Sequence, residues 1–478
     1  MENLSKLSIR AVHEGLLKKD FTSSEVLESC LKEVKSQNKD LNAFVLIDEE
    51  GAKMAANSLD AKIMNNESSL SVLSGVPMSL KDIFCVKGMR TTCASKMLEN
   101  FIPPYDATVV EKLRDNDAII IGKTNMDEFA CGASTEHSIF GPARNPYDTQ
   151  RVAGGSSGGS AVSVASNMSF YSLGTDTGGS IRQPASLCGV YGLKPTYGRI
   201  SRSGVVSMAS SWDHVGAFAR SAEDIGFVLS AIAGKDRRDS TTSDKDVPDY
   251  SKFLDDSVKG LKIGIPKEYF DEGVEEETRA VVMESAKKLE KQGAEIIDVS
   301  LPYTKYAIAV YYISMPAELS SNLERFDGIR YGIKPSEKAE DIVDYYYKAR
   351  SEGFGSEIKR RILIGTYVLS SGYFDAYYKK AQKVRTLILE DFNNVFTKVD
   401  ALLAPVSPFP AFKVGDLLDN PLAMYMADAL TIPANAAGVP ALSCPVGKSK
   451  TGLPIGAQII APQFGEGLCL TVANALSA

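Results

Sequence analysis

Leu4, Leu7, Ile9, Val12 and Leu16 recur at roughly helical spacing near the start of the chain, with polar side chains between them. Thr22 followed by Glu25 forms a capping-box pattern ahead of Val26, Leu27 and Leu31, so a further helix is expected there. Residues 1–63 therefore read as an outer helical layer. From about Ser74 the pattern changes to short apolar runs alternating with helical stretches: Ala107 to Asp115 as helix, Ala118 to Gly122 and Ser169 to Gly174 as strands. Strands without polar alternation belong to a sheet covered on both faces. Gly234 to Lys259 is dense in Asp, Lys, Arg, Ser and Thr and reads as a long surface excursion. The α/β pattern resumes with Leu261 to Ile265, a helix through Leu289, and Ala294 to Val299. Between about Lys305 and Thr397 the strands vanish and Tyr, Lys, Arg and Glu recur at helical spacing, which predicts a helical insertion. Strand-like runs return at Ala401 to Val406, Gly438 to Val446 and Pro454 to Ile460.

A chain of 478 residues would ordinarily divide into about three domains. The returning strands instead favour one α/β domain over 1–478 with a mixed central sheet covered by helices: helical layer 1–63, core 74–233, helical insertion 305–397, return to the sheet 398–478. With 44% hydrophobic and 24% charged residues the chain can bury a sizeable core and lacks the signature of disorder. A net charge of −7 argues against a surface built for phosphate backbones, so any RNA would be held mainly by a partner. Seven scattered cysteines without a C-x-x-C pair argue against a zinc knuckle or a disulfide framework; no metal is expected, and the compartment reads as cytoplasmic. The start, Met1-Glu2-Asn3-Leu4, soon meets Lys6 and Arg10 and leaves no signal-peptide core. The longest uncharged stretches, Val152 to Thr175 and Ala429 to Gly447, are broken by Gly/Ser clusters or prolines, so no membrane span is expected.

The chain has three histidines, His13, His137 and His214. Acid/base chemistry would therefore fall first to lysine, serine or a carboxylate. Three motifs offer them, beside one false resemblance at Gly122-Lys123-Thr124. The run Gly154-Gly155-Ser156-Ser157-Gly158-Gly159-Ser160 lacks G-x-G-x-x-G spacing, and Asn145 to Arg151 before it are polar and turn-like where a nucleophile elbow needs a strand. Gly122-Lys123-Thr124 resembles the end of a phosphate loop, but Asp117 stands where its first glycine should be. Gly174-Thr175-Asp176-Thr177-Gly178-Gly179-Ser180-Ile181-Arg182-Gln183-Pro184 follows a strand. Its small residues would let the N–H groups of Thr177, Gly178, Gly179 and Ser180 converge as an oxyanion hole, although Gly-Gly-Ser also serves in plain turns. Gly75-Val76-Pro77-Met78-Ser79-Leu80-Lys81-Asp82 puts a lysine in an apolar strand, either snorkelling from an edge or buried as a neutral base.

GVPMSLKD, GGSSGGS and TDTGGSIRQP in this order resemble the amidase signature family, with Ser156 and Ser180 at that family's separation of 24 positions. The resemblance implies a Ser-Ser-Lys triad: Ser180 as nucleophile, Ser156 as proton bridge after a cis peptide from Gly155, and Lys81 as base. Asp176 and Arg182 would be scaffold charges. Within the family, Gly122 to Glu136, Ser321 to Gly332, Ser351 to Arg385 and Met424 to Pro440 resemble the glutaminase subunits of tRNA-dependent amidotransferases. This implies free glutamine as substrate, Arg361 on its α-carboxylate, Asp428 on its α-ammonium, and one of Tyr311 and Tyr312, with Tyr312 favoured, against it. Without the resemblance, Arg360 and Arg361 read equally as a solvated helix face, and Asp428 as a cap or structural partner in an apolar helix. The implied partners are a larger tRNA-binding subunit that uses ATP and Mg²⁺ to amidate Glu-tRNA(Gln) or Asp-tRNA(Asn), and a small subunit that wraps the interface; no cofactor belongs to this chain. Family members usually continue past the final helix, whereas the chain stops at Ala478, and Cys131 and Ala133 stand where bulkier residues or glycine are usual. The alternative is a free-standing amidase of small amides, which needs the triad but not Arg361 and Asp428. Tyr377, Tyr378, Lys379, Lys380, Lys383 and Arg385 read as a solvated or partner-facing helix rather than an RNA-binding one.

Overall fold

The computed structural model describes residues 3–66, 69–271 and 273–477. The first two residues and Ala478 lie outside them. Helices α1 (Ile9–Lys18) and α2 (Ser23–Leu41) bury Ile9, Val12 and Leu16 and Val26, Leu27 and Leu31, and the Thr22–Glu25 capping box opens α2. The four residues Phe44–Ile47 then form strand β1, which the helical reading of 1–63 did not contain, before α3 (Glu49–Met64). A short edge strand shows little alternation, and its pairing with a distant strand is invisible to local periodicity.

The core follows as β2 (Pro77–Lys81), α4 (Thr108–Asp115) and β3 (Ile119–Thr124). Next come a small ribbon, β4 (Arg144–Asn145) and β5 (Asp148–Val152), then α5 (Gly158–Ala165), β6 (Tyr171–Asp176) and α6 (Arg182–Cys188). Strands β7 (Tyr191–Lys194) and β8 (His214–Ala219) precede α7 (Ala222–Ile232), β9 (Lys262–Pro266), α8 (Glu276–Lys291) and β10 (Glu295–Val299). Among the described residues only helical elements lie between β10 and the next strand: α9 (Ala307–Leu323), α10 (Ile342–Gly353), α11 (Ser356–Leu369) and α12 (Lys379–Val395) among them. Strand β11 (Ala401–Pro405), short helices α13 (Pro421–Met426) and α14 (Ile432–Ala437), strands β12 (Ala441–Lys448) and β13 (Pro454–Ile460) and helix α15 (Glu466–Ser477) complete the chain.

Eleven strands join in the order β1-β3-β2-β6-β8-β7-β12-β13-β11-β9-β10. β2 runs parallel to both β3 and β6, and β9 to β10 and β11, while the other pairs are antiparallel, giving a mixed sheet. Every residue of β2, β3, β6, β7, β8, β11 and β13 is buried, so the central strands are covered on both faces. Among the described residues, no helix is long and apolar enough to cross a membrane and no group of three or more His, Cys, Asp or Glu could hold a metal ion.

Candidate active site

Lys81 ends β2, flanked by β3 and β6, and is fully buried. Its Nζ donates to Ser156 Oγ at 2.7 Å and to Thr175 Oγ1 of β6 at 2.9 Å. Burial pushes the amine down to about 7, against the opposing pull of Asp127, Asp176 and Asp213. A lysine that, among the described residues, bonds two hydroxyls and no carboxylate can lose its proton near neutral pH.

Ser156 lies in the turn from β5 to α5, after a cis peptide from Gly155. The strand before this turn belongs to the two-stranded ribbon rather than the main sheet, so the polar segment Asn145 to Arg151 is a ribbon where a turn was expected. Gly155 N–H donates to Gln183 Oε1 at 3.0 Å, and Gln183 Nε2 donates to the Ala133 carbonyl at 2.9 Å. Gln183 of α6 thus stitches the two glycine-rich loops together. Beneath them, Asp127 N–H donates to the Ser156 carbonyl at 3.1 Å, while the Asp127 carboxylate accepts from Thr135 and His137 N–H. A Cβ on Gly155 would stand 2.3 Å from Asp127 Oδ2, so no larger residue fits without displacement.

Ser180 sits in the turn between β6 and α6, 7% exposed, and its hydroxyl makes no hydrogen bond among the described residues. The turn is held at both ends by the buried pair of Asp176 and Arg182, 3.1 Å apart. Burial opposes ionisation of Asp176, but Arg182 more than offsets it and holds the carboxyl well below its ordinary range. Thr177 Oγ1 donates to Asp213 at 2.8 Å, and Thr431 Oγ1 donates to the Gly178 carbonyl at 2.6 Å. Gly179 has φ of 143°, and a Cβ there would lie 2.1 Å from Thr431 Oγ1. The N–H groups of Thr177, Gly178, Gly179 and Ser180 have no backbone acceptor among the described residues. Donors left free beside a serine are what a developing oxyanion requires.

Beside this turn lie residues of the helical insertion and of the segment around α13. Tyr311 of α9 is buried against Gly178, whose Cβ would meet its ring at 2.9 Å, whereas half-buried Tyr312 stacks on Tyr425 with ring centroids 3.9 Å apart. The Arg361 guanidinium of α11 lies 4.9 Å from the centroid of each of Tyr312 and Tyr425. Arg361 is 3% exposed, whereas its neighbour Arg360 is the one on the solvated face. Asp428 lies in the turn after α13, not within a helix, 6% exposed, and its buried Oδ1 has no partner among the described residues. Burial pushes its carboxyl well above the ordinary range, and the Arg361 charge offsets this only in part. Among the described residues Arg361 and Asp428 form no ion pair with each other; the carboxylate bound to Arg361 is Glu357, at 2.7 Å.

Several of these residues were not singled out in the sequence. Glu357 carried a signal, since it precedes Arg361 by four on one helix face. Thr175 and Gln183 carried none beyond their place in the second glycine-rich motif, and Asp127 none beyond its place in the Gly122 to Glu136 stretch. His214 is buried in β8, and its Nδ1 faces the Trp212 carbonyl at 2.6 Å. Ala133 packs in a small cluster with Met424 and Ala427, and Cys131 is buried. Arg385 is taken up internally, 4.0 Å over the Trp212 ring and bonded to the Ala436 carbonyl, while Tyr377 and Lys379 beside it stay exposed.

The family model described as Amidase matches residues 25–470. The chain is 52% identical over 471 residues to a glutamyl-tRNA(Gln) amidotransferase subunit of Persephonella marina, covering 98% of this chain and 96% of that protein. It is likewise 52% identical over 472 residues to the protein of the same name in Thermoanaerobacter pseudethanolicus, covering 99% and 96%. The crystal structure of the like-named glutamyl-tRNA(Gln) amidotransferase subunit from Thermotoga maritima superposes with a TM-score of 0.82 at 39% identity, over 100% of this chain and 95% of that one. A bacterial aryl acylamidase superposes at 0.87 with 24% identity, over 98% and 96%, a likeness of fold alone. With a matching family model over nearly its whole length and relatives above half identical, the chain belongs to the amidase signature family.

Proposed function

We propose that the chain hydrolyses free glutamine and supplies the ammonia to a tRNA-dependent amidotransferase. The observation that carries the reading is the 2.7 Å contact of a buried, carboxylate-free Lys81 with Ser156, next to a turn that leaves Ser180 free. Neutral Lys81 takes the Ser156 hydroxyl proton as Ser156 takes that of Ser180, and Ser180 Oγ bonds to the side-chain amide carbon of glutamine. The oxyanion is met by the N–H groups of Thr177, Gly178 and Gly179. As the C–N bond breaks, the proton returns through Ser156 to the leaving nitrogen, which departs as ammonia. Water then cleaves the glutamyl ester, giving glutamate and restoring Ser180. Arg361 and Asp428 hold the α-carboxylate and α-ammonium, with Tyr312 against the aliphatic chain. A ligand ammonium beside Asp428 would offset the burial that pushes its carboxyl above the ordinary range.

Free ammonia is useful when delivered, and the relatives' names describe one component of an amidotransferase of glutamyl-tRNA(Gln). The proposed partners are therefore a larger subunit that binds tRNA and uses ATP and Mg²⁺, and a small interfacial subunit, all cytoplasmic. The net charge of −7 suits a chain that leaves RNA to its partner. Ser180→Ala should lower glutamine hydrolysis by about 10⁴-fold or more, while an assembly carrying it still amidates from ammonium salts. Near-normal hydrolysis by a folded Ser180→Ala chain would remove the nucleophile assignment. Faster turnover of simple aryl or alkyl amides than of glutamine would favour the free-standing amidase.

A further inference from the structure

The Arg361 guanidinium is engaged on one edge and open on the other. Its Nε–H donates to Glu357 Oε1 at 2.7 Å, one helical turn earlier on α11. Its Nη1 faces only the Met315 sulfur at 4.0 Å. Glu357 is 5% exposed, and the same oxygen also accepts from the Tyr425 hydroxyl at 3.2 Å, while its second oxygen accepts from Arg360. Burial disfavours the Glu357 carboxylate, yet Arg361 overcomes this and holds the carboxyl below its ordinary range.

A planar guanidinium whose Nε edge is fixed can offer a carboxylate only its terminal fork. Tyr425 stands three residues before Asp428, whose buried Oδ1 has no partner. The Glu357 carboxylate therefore ties α11, which carries the cation, to the segment that carries the open carboxylate. Resting on the reading that Arg361 and Asp428 grip the amino-acid end of the substrate, we propose that Glu357 is a positioning residue that aims Arg361 and fixes its spacing from Asp428. It thereby selects amides that are also free α-amino acids. Its own contacts go to Arg361, Tyr425 and Arg360, so its action on substrate is indirect.

The test compares glutamine with glutamine α-amide, whose α-carboxylate is replaced by an uncharged amide, using the full chain. Glu357→Ala should raise the KM for glutamine about tenfold or more with kcat within about threefold, the scale of losing a hydrogen bond to a charged group. The KM for the α-amide should hardly move, so the preference for glutamine collapses. Glu357→Gln, whose amide oxygen can still accept from Nε–H, should recover most of the glutamine KM, and it carries the test where the alanine variant does not fold. An unchanged glutamine KM in Glu357→Ala, an equal loss on both substrates, or no recovery with Glu357→Gln would overturn the positioning role. Arg361→Ala separates the two levels. If it too leaves the glutamine KM unchanged, the reading of Arg361 itself has failed; if it raises the KM while Glu357→Ala does not, only the positioning role has.

Discussion

Adjacent parallel strands β2 and β3 each bury a lysine near their ends, and the two corners do opposite things. Lys123 on β3 donates to Asp82 Oδ1 at 3.0 Å and to Thr91 Oγ1 at 2.8 Å, and Asp82 in turn accepts from Thr92. It is half of a buried ion pair, both side chains at most 1% exposed. Lys81 on β2 is buried as deeply, but among the described residues its hydrogen bonds go to the hydroxyls of Ser156 and Thr175 alone. Burial alone therefore does not make a base. A base must also be free of a carboxylate in contact, because a buried ammonium without one is driven to release its proton. Lys194, at the end of β7, adds a third arrangement: it donates to the carbonyls of Pro195 and Val439, and burial pushes it down to about 7 as well. It stands by none of the glycine-rich serines, so a lowered pKa alone does not mark a catalytic lysine either.

The largest effect should come from Lys81→Arg. A guanidinium keeps the charge and donates to the same hydroxyls but stays protonated in the working range, so glutamine hydrolysis should fall by about 10³-fold or more with the fold retained by circular dichroism. An active Lys81→Arg chain would make the β2 corner a structural site like its neighbour. Next, Lys123→Met should leave the buried Asp82 carboxyl without its counter-ion and cost about 3 to 5 kcal/mol of stability, read by urea unfolding. Lys81→Met should cost clearly less, since it strands no charge. Equal losses from the two would erase the contrast.

The smallest and sharpest effect is in pH. Activity should rise through one ionisation near 7, where burial places Lys81, and level off above it. Replacing His13, His137, His214 or Lys194 should leave that limb in place, and a limb that disappears with any of them would move the base elsewhere. Stability does not separate the lysines. The folded pKa of about 7 lies below the unfolded value of about 10.4 for both Lys81 and Lys194, so the unfolded chain binds more protons between those limits and both contribute stability that rises with pH across them.

The order of elements was largely legible because burial on both faces writes strands as short apolar runs, as at Ala401–Pro405 and Pro454–Ile460. The glycine-rich motifs were legible as short unbroken runs, although the crowding that requires glycine at Gly155 and Gly179 comes from Asp127 and Thr431, 2.3 and 2.1 Å from where a Cβ would stand. Histidine scarcity left acid/base chemistry to lysine, serine or a carboxylate, and Lys81 in an apolar run read as either an edge lysine or a buried neutral base. Besides the β4–β5 ribbon, strands β1, β7 and β8 of the main sheet were missed, the last two carrying a glycine each. Tertiary structure alone decided that β2 lies between β3 and β6, which carries Lys81 to a serine 75 positions away and gives it no carboxylate in contact. It alone decided, too, that Arg361 meets Glu357 while Asp428 keeps an oxygen free. Helix and strand periods report which face of an element is buried, but not which distant element comes to lie against it.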